Sequence, residues 1–349
     1  MPTTTEASQG QQYCLVIQPI HARGFELLRA AGIEPRLASA SDMQTVGREV
    51  AGACAVITRN AGLDRAAMDA APGLAVIGVH GIGTDPVDIT HADRLGIPVV
   101  FTPGANIQSV SEHAIALMLA VAKRIPDADR AVRTGNFEFK YTAPLTELYG
   151  KTLGIVGWGR IGRRTAELAR TAFNLTVEVY SPSTDPNDLE ATGITKCDGL
   201  AELMRRADIV SLHVPLNDTT RGMIGAAELA QMKPSAILVN TCRGAVINEE
   251  ALIRILRKRQ IAGAGLDVFG SETMAADNEL LRLDNVVLSP HIAGSTGEAL
   301  ERTAVAVVDS VFNVLRGNRP ANLANPAVWD RRRMGVTLTC EGNARMVAR

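Results

Sequence analysis

"KTLGIVGWGRIGRRTAELA", residues 151–169, reads as a strand, a turn and the opening of a helix. The run from Thr152 to Val156 is mostly apolar, and "RRTAELAR" beyond it has helical composition. Between them Gly157, Gly159 and Gly162 stand in G-x-G-x-x-G spacing, with Arg160 and Ile161 inside the motif. Such glycines permit a tight turn, close approach of backbone to a pyrophosphate and close packing of helix on strand. The helix N-terminus adds N–H donors and the positive end of a dipole. A glycine triplet alone is common in turns. Here strand, loop, helix and a further strand, "TVEVYS", follow in the order a dinucleotide-binding unit requires, so these residues read as a Rossmann-type unit for NAD(H) or NADP(H).

The end of that further strand bears on which of the two is bound. An Asp or Glu about 20 residues after the loop would grip the ribose 2′-OH of NAD. The chain has Ser181 there, followed by Pro182, Ser183 and Thr184. Loss of the acid removes repulsion toward a 2′-phosphate, and the hydroxyls can hydrogen-bond one. Against this, no Arg or Lys sits in the turn, and Asp185 is close enough in sequence to restore an NAD preference. Both cofactors stay open.

The same rhythm extends in both directions. Downstream lie the apolar runs "ADIVSLHV", "SAILVN", "AGAGLDV" and "NVVLS"; upstream lie "CLVIQPI", "CAVITR", "LAVIGVHG" and "IPVVFTP", with helix-length spacers between them. Short apolar runs alternating with helices indicate an α/β fold of two doubly wound parallel-sheet domains, each sheet covered on both faces. Residues 106–124 predict a linking helix, apolar on much of its circumference and therefore buried or packed on a partner, with Pro126 ending it. "GEALERTAVAVVDSVFNVLRG" predicts a late helix, and 331–349 carry so little periodicity that they read as a frayed, disordered tail.

A chain of 349 residues has room for two domains. The net charge of -1, with both signs interleaved, lacks the footprint of a nucleic-acid binder or a polybasic membrane anchor, which leaves small molecules as the expected partners. The five cysteines are scattered, without a C-x-x-C pair or a Cys/His cluster, so no metal site is expected. The polar N-terminal stretch has no signal-peptide pattern, and no apolar run reaches the ~18–20 residues of a membrane span. A cytoplasmic protein with reduced thiols is expected.

In an open α/β sheet the ligand crevice lies beyond the carboxyl ends of the strands. Reading the second domain that way collects Gly157, Ser181, His213, Pro215, the "NTCRG" turn with Thr241 and Arg243, then Asp267, and last Ser289, Pro290 and His291. Reduction of a 2-oxo acid needs a cation for the carboxylate, a proton donor at the carbonyl oxygen and a group that keeps the donor charged. Arginine suits the first through its planar fork. Histidine suits the second because its ordinary pKa is near neutrality. A neighbouring carboxylate supplies the third. Arg243, His291 and Glu272 are those residue types. Each has a plain alternative, as a salt bridge, a turn histidine and a solvated loop glutamate.

Their combination resembles the D-isomer-specific 2-hydroxyacid dehydrogenases, a family that includes phosphoglycerate dehydrogenases and hydroxypyruvate/glyoxylate reductases. The resemblance runs from about Val56 to Asn325 through "GIGTDPVDITHADRLGIPVVFTPGANIQSVSEHAIALML", "GKTLGIVGWGRIG", "MKPSAILVNTCRGAVINEEAL", "AGAGLDVFGSE" and "LSPHIAGST". It implies a flavodoxin-like substrate domain of 1–105 plus 295–330, a cofactor domain of 106–294 inserted into it, and a homodimer built through the linking helix. It implies that Arg243 orients substrate, that Glu272 and His291 form the acid/base pair, and that Asp267, Ser109 and Gly294 lie on the cofactor side. His80, Gly81 and Ile82 match the loop that holds the substrate carboxylate. A protonated His80 there would favour a phosphorylated or acidic substrate; its plain alternative is packing.

The chain departs from the family pattern at Ser181, at Thr273 where a proline is usual, and at Ser111 where an alanine is usual and no consequence is expected. Too little sequence follows His291 for a serine-feedback regulatory domain, so none is expected. Two other readings lie nearby. A dinucleotide-gated, co-repressor-like binding module would favour a long Pro/Ser-rich tail, which the chain lacks. A formate or phosphonate dehydrogenase is the other, and Glu272 speaks against the formate branch, where Gln is expected.

Overall fold

The structure, a computed structural model, describes residues 12–190 and 192–333. The chain divides into two compact units: the described residues up to Asn106 with those from Gly297 onward, and Ile107–Thr296. The N-terminal stretch in which no signal pattern was found lies outside the described residues, apart from its last two.

The first unit is a parallel sheet of β1 (Tyr13–Val16), β2 (Glu34–Leu37), β3 (Ala53–Thr58), β4 (Val76–Val79) and β5 (Val99–Phe101), in the order β2-β1-β3-β4-β5. Because strand side chains alternate between faces, Cys14, Val16, Ala55 and Ile57 feed one core while Leu15, Ile17, Val56 and Ile77 feed another. Helices Ala22–Ala30 and Gly297–Leu315 close the first core through Leu28, Ala304, Val307, Val308 and Val311. Val46, Ala67, Met68 and Ala92, from three short helices, close the second. Burial on both faces is why these strands read as unbroken apolar runs.

β2 gave no such signal. Its sequence is Glu-Pro-Arg-Leu with Leu37 largely exposed, and proline is tolerated there because the strand lies at the sheet edge. The helix Met43–Glu49 that follows was missed as well; it starts at Asp42, whose carboxylate accepts from Thr45 N–H at 2.9 Å.

The second unit contains β6 (Thr152–Val156), β7 (Thr176–Tyr180), β8 (Thr195–Lys196), β9 (Ile209–Leu212), β10 (Ile237–Asn240), β11 (Gly263–Leu266) and β12 (Val286–Leu288). All are parallel, in the order β12-β11-β10-β9-β6-β7-β8. Strand order reverses between β6 and β9, the point at which an α/β sheet opens its ligand crevice. Helices Ile107–Ala122 and Arg160–Phe173 cover one face through Ala114, Leu117, Met118, Ala166 and Ala169. Leu200–Arg206 and Glu249–Arg257 cover the other.

Pro126 does not end the linking helix. The break is made by Arg124 in the left-handed region (φ 48°), and Pro126 sits in the first turn of a second helix, Ile125–Arg133, where its missing N–H costs little. Part of the stretch read as a tail is also held. Arg331 closes the 3-10 turn Pro326–Arg331 and pairs with Asp93, and Arg333 N–H donates to Gly96 C=O at 2.7 Å. Residues 334–349 lie outside the described residues.

Candidate active site

The three glycines of the loop after β6 differ in their surroundings. A Cβ on Gly157 (φ 99°) would stand 2.6 Å from the His213 carbonyl oxygen, and one on Gly162 would stand 2.3 Å from the Gly157 carbonyl oxygen. These two let the loop press against β9 and the helix against the loop. A Cβ on Gly159 would meet nothing within 4 Å. It is also the N-cap of the helix Arg160–Phe173 and brings no side-chain acceptor to the first turn. Open space over a bare glycine, followed by a helix start with no side-chain cap, suits a diphosphate. Ile161, inside the loop, is tied by its carbonyl to Ser111 Oγ at 3.3 Å, so Ser111 does make a contact that an alanine could not.

Around this loop the strand ends carry the residues named from sequence. Ser181 and Thr184 are buried beyond β7, joined Oγ1 to Oγ at 2.9 Å. His213 follows β9 with Nε2 2.9 Å from Ser211 Oγ, and burial lowers its pKa to about 4, so it is neutral at physiological pH. Pro215 is exposed, its carbonyl accepting from Thr220 Oγ1 at 2.6 Å. Thr241, at the end of β10, has a buried hydroxyl with no hydrogen-bond partner. An orphaned buried polar atom at a crevice edge is a group waiting for a ligand atom.

Asp267, after β11, organises the loop that carries His291. Its carboxylate is fully buried; Oδ1 accepts from Ser289 Oγ (2.6 Å) and Ile292 N–H (3.0 Å), and Oδ2 from Ala293 N–H (2.8 Å). Burial by itself would raise this carboxyl, but hydrogen bonds from His113, Ser289 and the two backbone N–H groups outweigh it and hold the pKa below the ordinary range. The Asp267 carbonyl also accepts from His291 N–H at 2.8 Å. His291 is thereby held at φ 53°, a left-handed conformation that costs a non-glycine residue about 1–2 kcal/mol. Ser109 fixes the far side of the loop, its hydroxyl donating to Ala293 C=O at 2.6 Å beside Gly294.

From that backbone the His291 ring reaches Glu272, with Nδ1 2.8 Å from Oε1 and 3.2 Å from Oε2. The pair forms although Thr273 stands where the family has proline. One turn away, Arg243 is positioned by Asn240, whose Nδ2 donates to the Arg243 carbonyl at 2.9 Å. The chain passes Phe269 there so closely that a Cβ on Gly244 would lie 1.8 Å from the Phe269 carbonyl oxygen, which accounts for glycine after the arginine. An arginine, a hydrogen-bonded histidine–glutamate pair and a dinucleotide-type loop thus share the carboxyl edge of one sheet.

A family model described as "D-isomer specific 2-hydroxyacid dehydrogenase, NAD binding domain" matches residues 115–293. The chain belongs to this dehydrogenase family. Glyoxylate reductase of Thermococcus litoralis is 43% identical over 272 residues, 76% of this chain and 81% of that protein. D-3-phosphoglycerate dehydrogenase of Archaeoglobus fulgidus is 37% identical over 312 residues, which is 89% of this chain but 59% of that protein. The chain therefore spans well under two thirds of that longer relative. Among solved structures, an NADPH-dependent glyoxylate/hydroxypyruvate reductase from Sinorhizobium meliloti, in complex with NADP and malonate, superposes with a TM-score of 0.81 at 28% identity. The match covers 91% of this chain and 98% of that one.

His80, Gly81 and Ile82 lie in the first unit, and one expectation there needs correcting. His80 is not a candidate cation. It is buried, and burial, helped by the nearby Arg59 charge, lowers its pKa to about 4, leaving a neutral imidazole whose Nε2 has no hydrogen-bond partner. Gly81 leaves open space where a Cβ would stand, its carbonyl accepts from Thr102 N–H at 2.9 Å, and Ile82 is 36% exposed.

Sequence reading missed two contributors. His113, on the linking helix, sets Nε2 2.8 Å from Ser289 Oγ and 3.4 Å from Asp267 Oδ1, completing the shell around the buried carboxylate. His113 lies in the stretch whose apolar circumference predicts a linking helix, and that pattern does not single out a polar member. Lys196, on the two-residue strand β8, brings Nζ to the Thr184 carbonyl, so the turn that lacks a basic residue in sequence acquires one from the adjacent strand.

Proposed function

We propose that the chain catalyses hydride transfer between a nicotinamide dinucleotide and C2 of a small D-2-hydroxy or 2-oxo acid. The observation that carries this reading is the His291–Glu272 pair at 2.8 Å on the same sheet edge as the glycine loop. When bound, the dinucleotide supplies or accepts the hydride; every other task falls to side chains of the chain. Gly157, Gly159, Arg160, Ile161 and Gly162 hold the diphosphate, and Ser181, His213, Pro215, Thr241 and Gly294 border the rest of the cofactor. Arg243 pairs with the substrate carboxylate and polarises the carbonyl oxygen. His291 Nε2 delivers a proton to that oxygen in reduction and takes it back in oxidation, while Glu272 on Nδ1 fixes the orientation of the ring. Asp267, with Ser109 and His113, fixes where the ring stands.

In this proposal residues 1–105 with 295–330 form the substrate-binding domain, to which Gly81 and Ile82 belong, and residues 106–294 form the cofactor-binding domain. The enzyme works as a cytoplasmic homodimer. Support for pairing of two copies comes from Val132, Phe137, Tyr141 and Tyr149, all between 59% and 72% exposed in the stretch after the linking helix. Apolar side chains concentrated in this way favour an interface.

A steady-state assay of NADH and NADPH against glyoxylate, hydroxypyruvate, pyruvate and 3-phosphohydroxypyruvate tests the reading. Turnover with at least one pair, abolished by His291→Ala with cofactor binding retained, is expected. Cofactor binding without turnover on any acid would overturn it.

A further inference from the structure

We infer that the buried turn after β7 is a 2′-phosphate site and that the protein selects NADP(H) over NAD(H), an inference that rests on the dinucleotide reading above. Four groups define the turn. Ser181 occupies the ribose-reading position at the end of β7, and Thr184 Oγ1 lies 2.9 Å from its hydroxyl. Thr184 N–H donates to Ser181 C=O at 3.2 Å, closing the turn. Lys196 stands opposite Val179 in the β7–β8 register; Ser181 lies two residues beyond Val179, so Lys196 and Ser181 share one face of the sheet. Its ammonium group donates to the Thr184 carbonyl. That bond uses one of its three N–H donors, leaving capacity for phosphate oxygens beside two hydroxyls.

Two described acids beside the turn, Glu178 and Asp185, have partners of their own. Glu178, on the opposite face of β7, is buried and bound by Arg206 at 2.6–3.0 Å, with the Cys197 thiol on its other oxygen at 3.5 Å. Asp185 accepts from its own neighbour, Asn187 N–H, at 2.9 Å. A 2′-phosphate would find a cation and two hydroxyls in this turn. Charge-assisted contacts to phosphate are about twice as strong as neutral ones.

Calorimetric titration of the full chain with NADPH, NADH and adenosine 2′,5′-bisphosphate tests this without turnover. NADPH is expected to bind at least about tenfold more tightly than NADH, and the bisphosphate to compete with it. Lys196→Met should weaken NADPH by about tenfold and leave NADH within about twofold. Ser181→Asp, a second variant in the same turn, should reverse the preference by placing a carboxylate against the phosphate. Equal or tighter binding of NADH by the unaltered protein, or an equal loss of both cofactors in Lys196→Met, overturns the inference and leaves the hydride-transfer reading intact. Binding of neither dinucleotide overturns that reading, and this inference with it.

Discussion

In the second unit the turn after β6 carries three glycines and a helix start without a side-chain cap; in the first, the corresponding turn after β1 runs Ile17-Gln18-Pro19-Ile20-His21. There the helix is already capped, His21 Nδ1 accepting from Arg23 N–H at 3.3 Å. Gly24 serves packing, since a Cβ on it would meet the Ile20 side chain at 2.7 Å and Ala304 at 3.3 Å. Two parallel sheets with the same layering therefore differ in what their first turns can hold. Their strand ends differ in charge as well. The second unit keeps the Asp267 carboxylate ionised through hydrogen bonds, whereas the first keeps His80 neutral through burial. Topology provides an edge in both units, and a few side chains determine what each edge does.

The largest effect is expected where the second edge meets chemistry. His291→Ala should lower turnover by about 10³-fold, within the usual range for general acid/base catalysis, and leave cofactor affinity within about twofold. A variant turning over near the wild-type rate would remove this edge from the reaction. Next comes the pair Gly162→Ala and Gly24→Ala. The first forces a Cβ against backbone and should cost about 2–3 kcal/mol together with most cofactor binding, while the second displaces only the tip of Ile20 and should cost about 1 kcal/mol or less. Melting curves and calorimetric titration separate the two, and equal loss of cofactor binding in both would break the comparison.

The buried histidines give a smaller, pH-dependent effect. A folded-state pKa of about 4, below the ordinary 6.5, means that the contribution of His80 is complete above about pH 6.5 and is lost as pH falls toward 4. Between pH 7.5 and 5 that loss is about 2 kcal/mol. His213, in the second unit, has the same sign. Melting temperatures measured across this window should fall less steeply in His80→Gln, and an unchanged slope would mean that His80 is not buried neutral. Last, His113→Ala removes one hydrogen bond from the Asp267 shell and should lower turnover by about three- to tenfold with the melting temperature little changed. Loss of stability without loss of rate would make His113 a packing residue.

Much of this was legible because the local signals agreed. The glycine spacing between a buried strand and an amphipathic helix is a backbone requirement, and Gly157 and Gly162 stand where no Cβ fits. Arg243, Asp267 and His291 were legible as polar residues at the ends of apolar runs. What escaped were elements whose sequence carries no periodicity: β2 with its proline, the helix Met43–Glu49, and the two residues of β8. Missing β8 also hid Lys196, because a residue far along the chain from Ser181 becomes its neighbour only through strand pairing. The charge state of His80 was illegible for a related reason, since burial is a property of the folded unit rather than of the neighbouring residues.

The returning helix Gly297–Leu315 has a consequence for the order in which the molecule is made. Val307, Val308 and Val311 are fully buried on the first sheet, a contribution on the order of 5 kcal/mol, comparable to the whole net stability of a small domain. A growing chain exposes β1 to β5 long before this helix is synthesised, while Ile107–Thr296 is continuous and can close its core as soon as it has emerged. The unit that starts first on the ribosome therefore finishes last. Chains halted at Thr296 should yield a protease-resistant second unit attached to a susceptible first one.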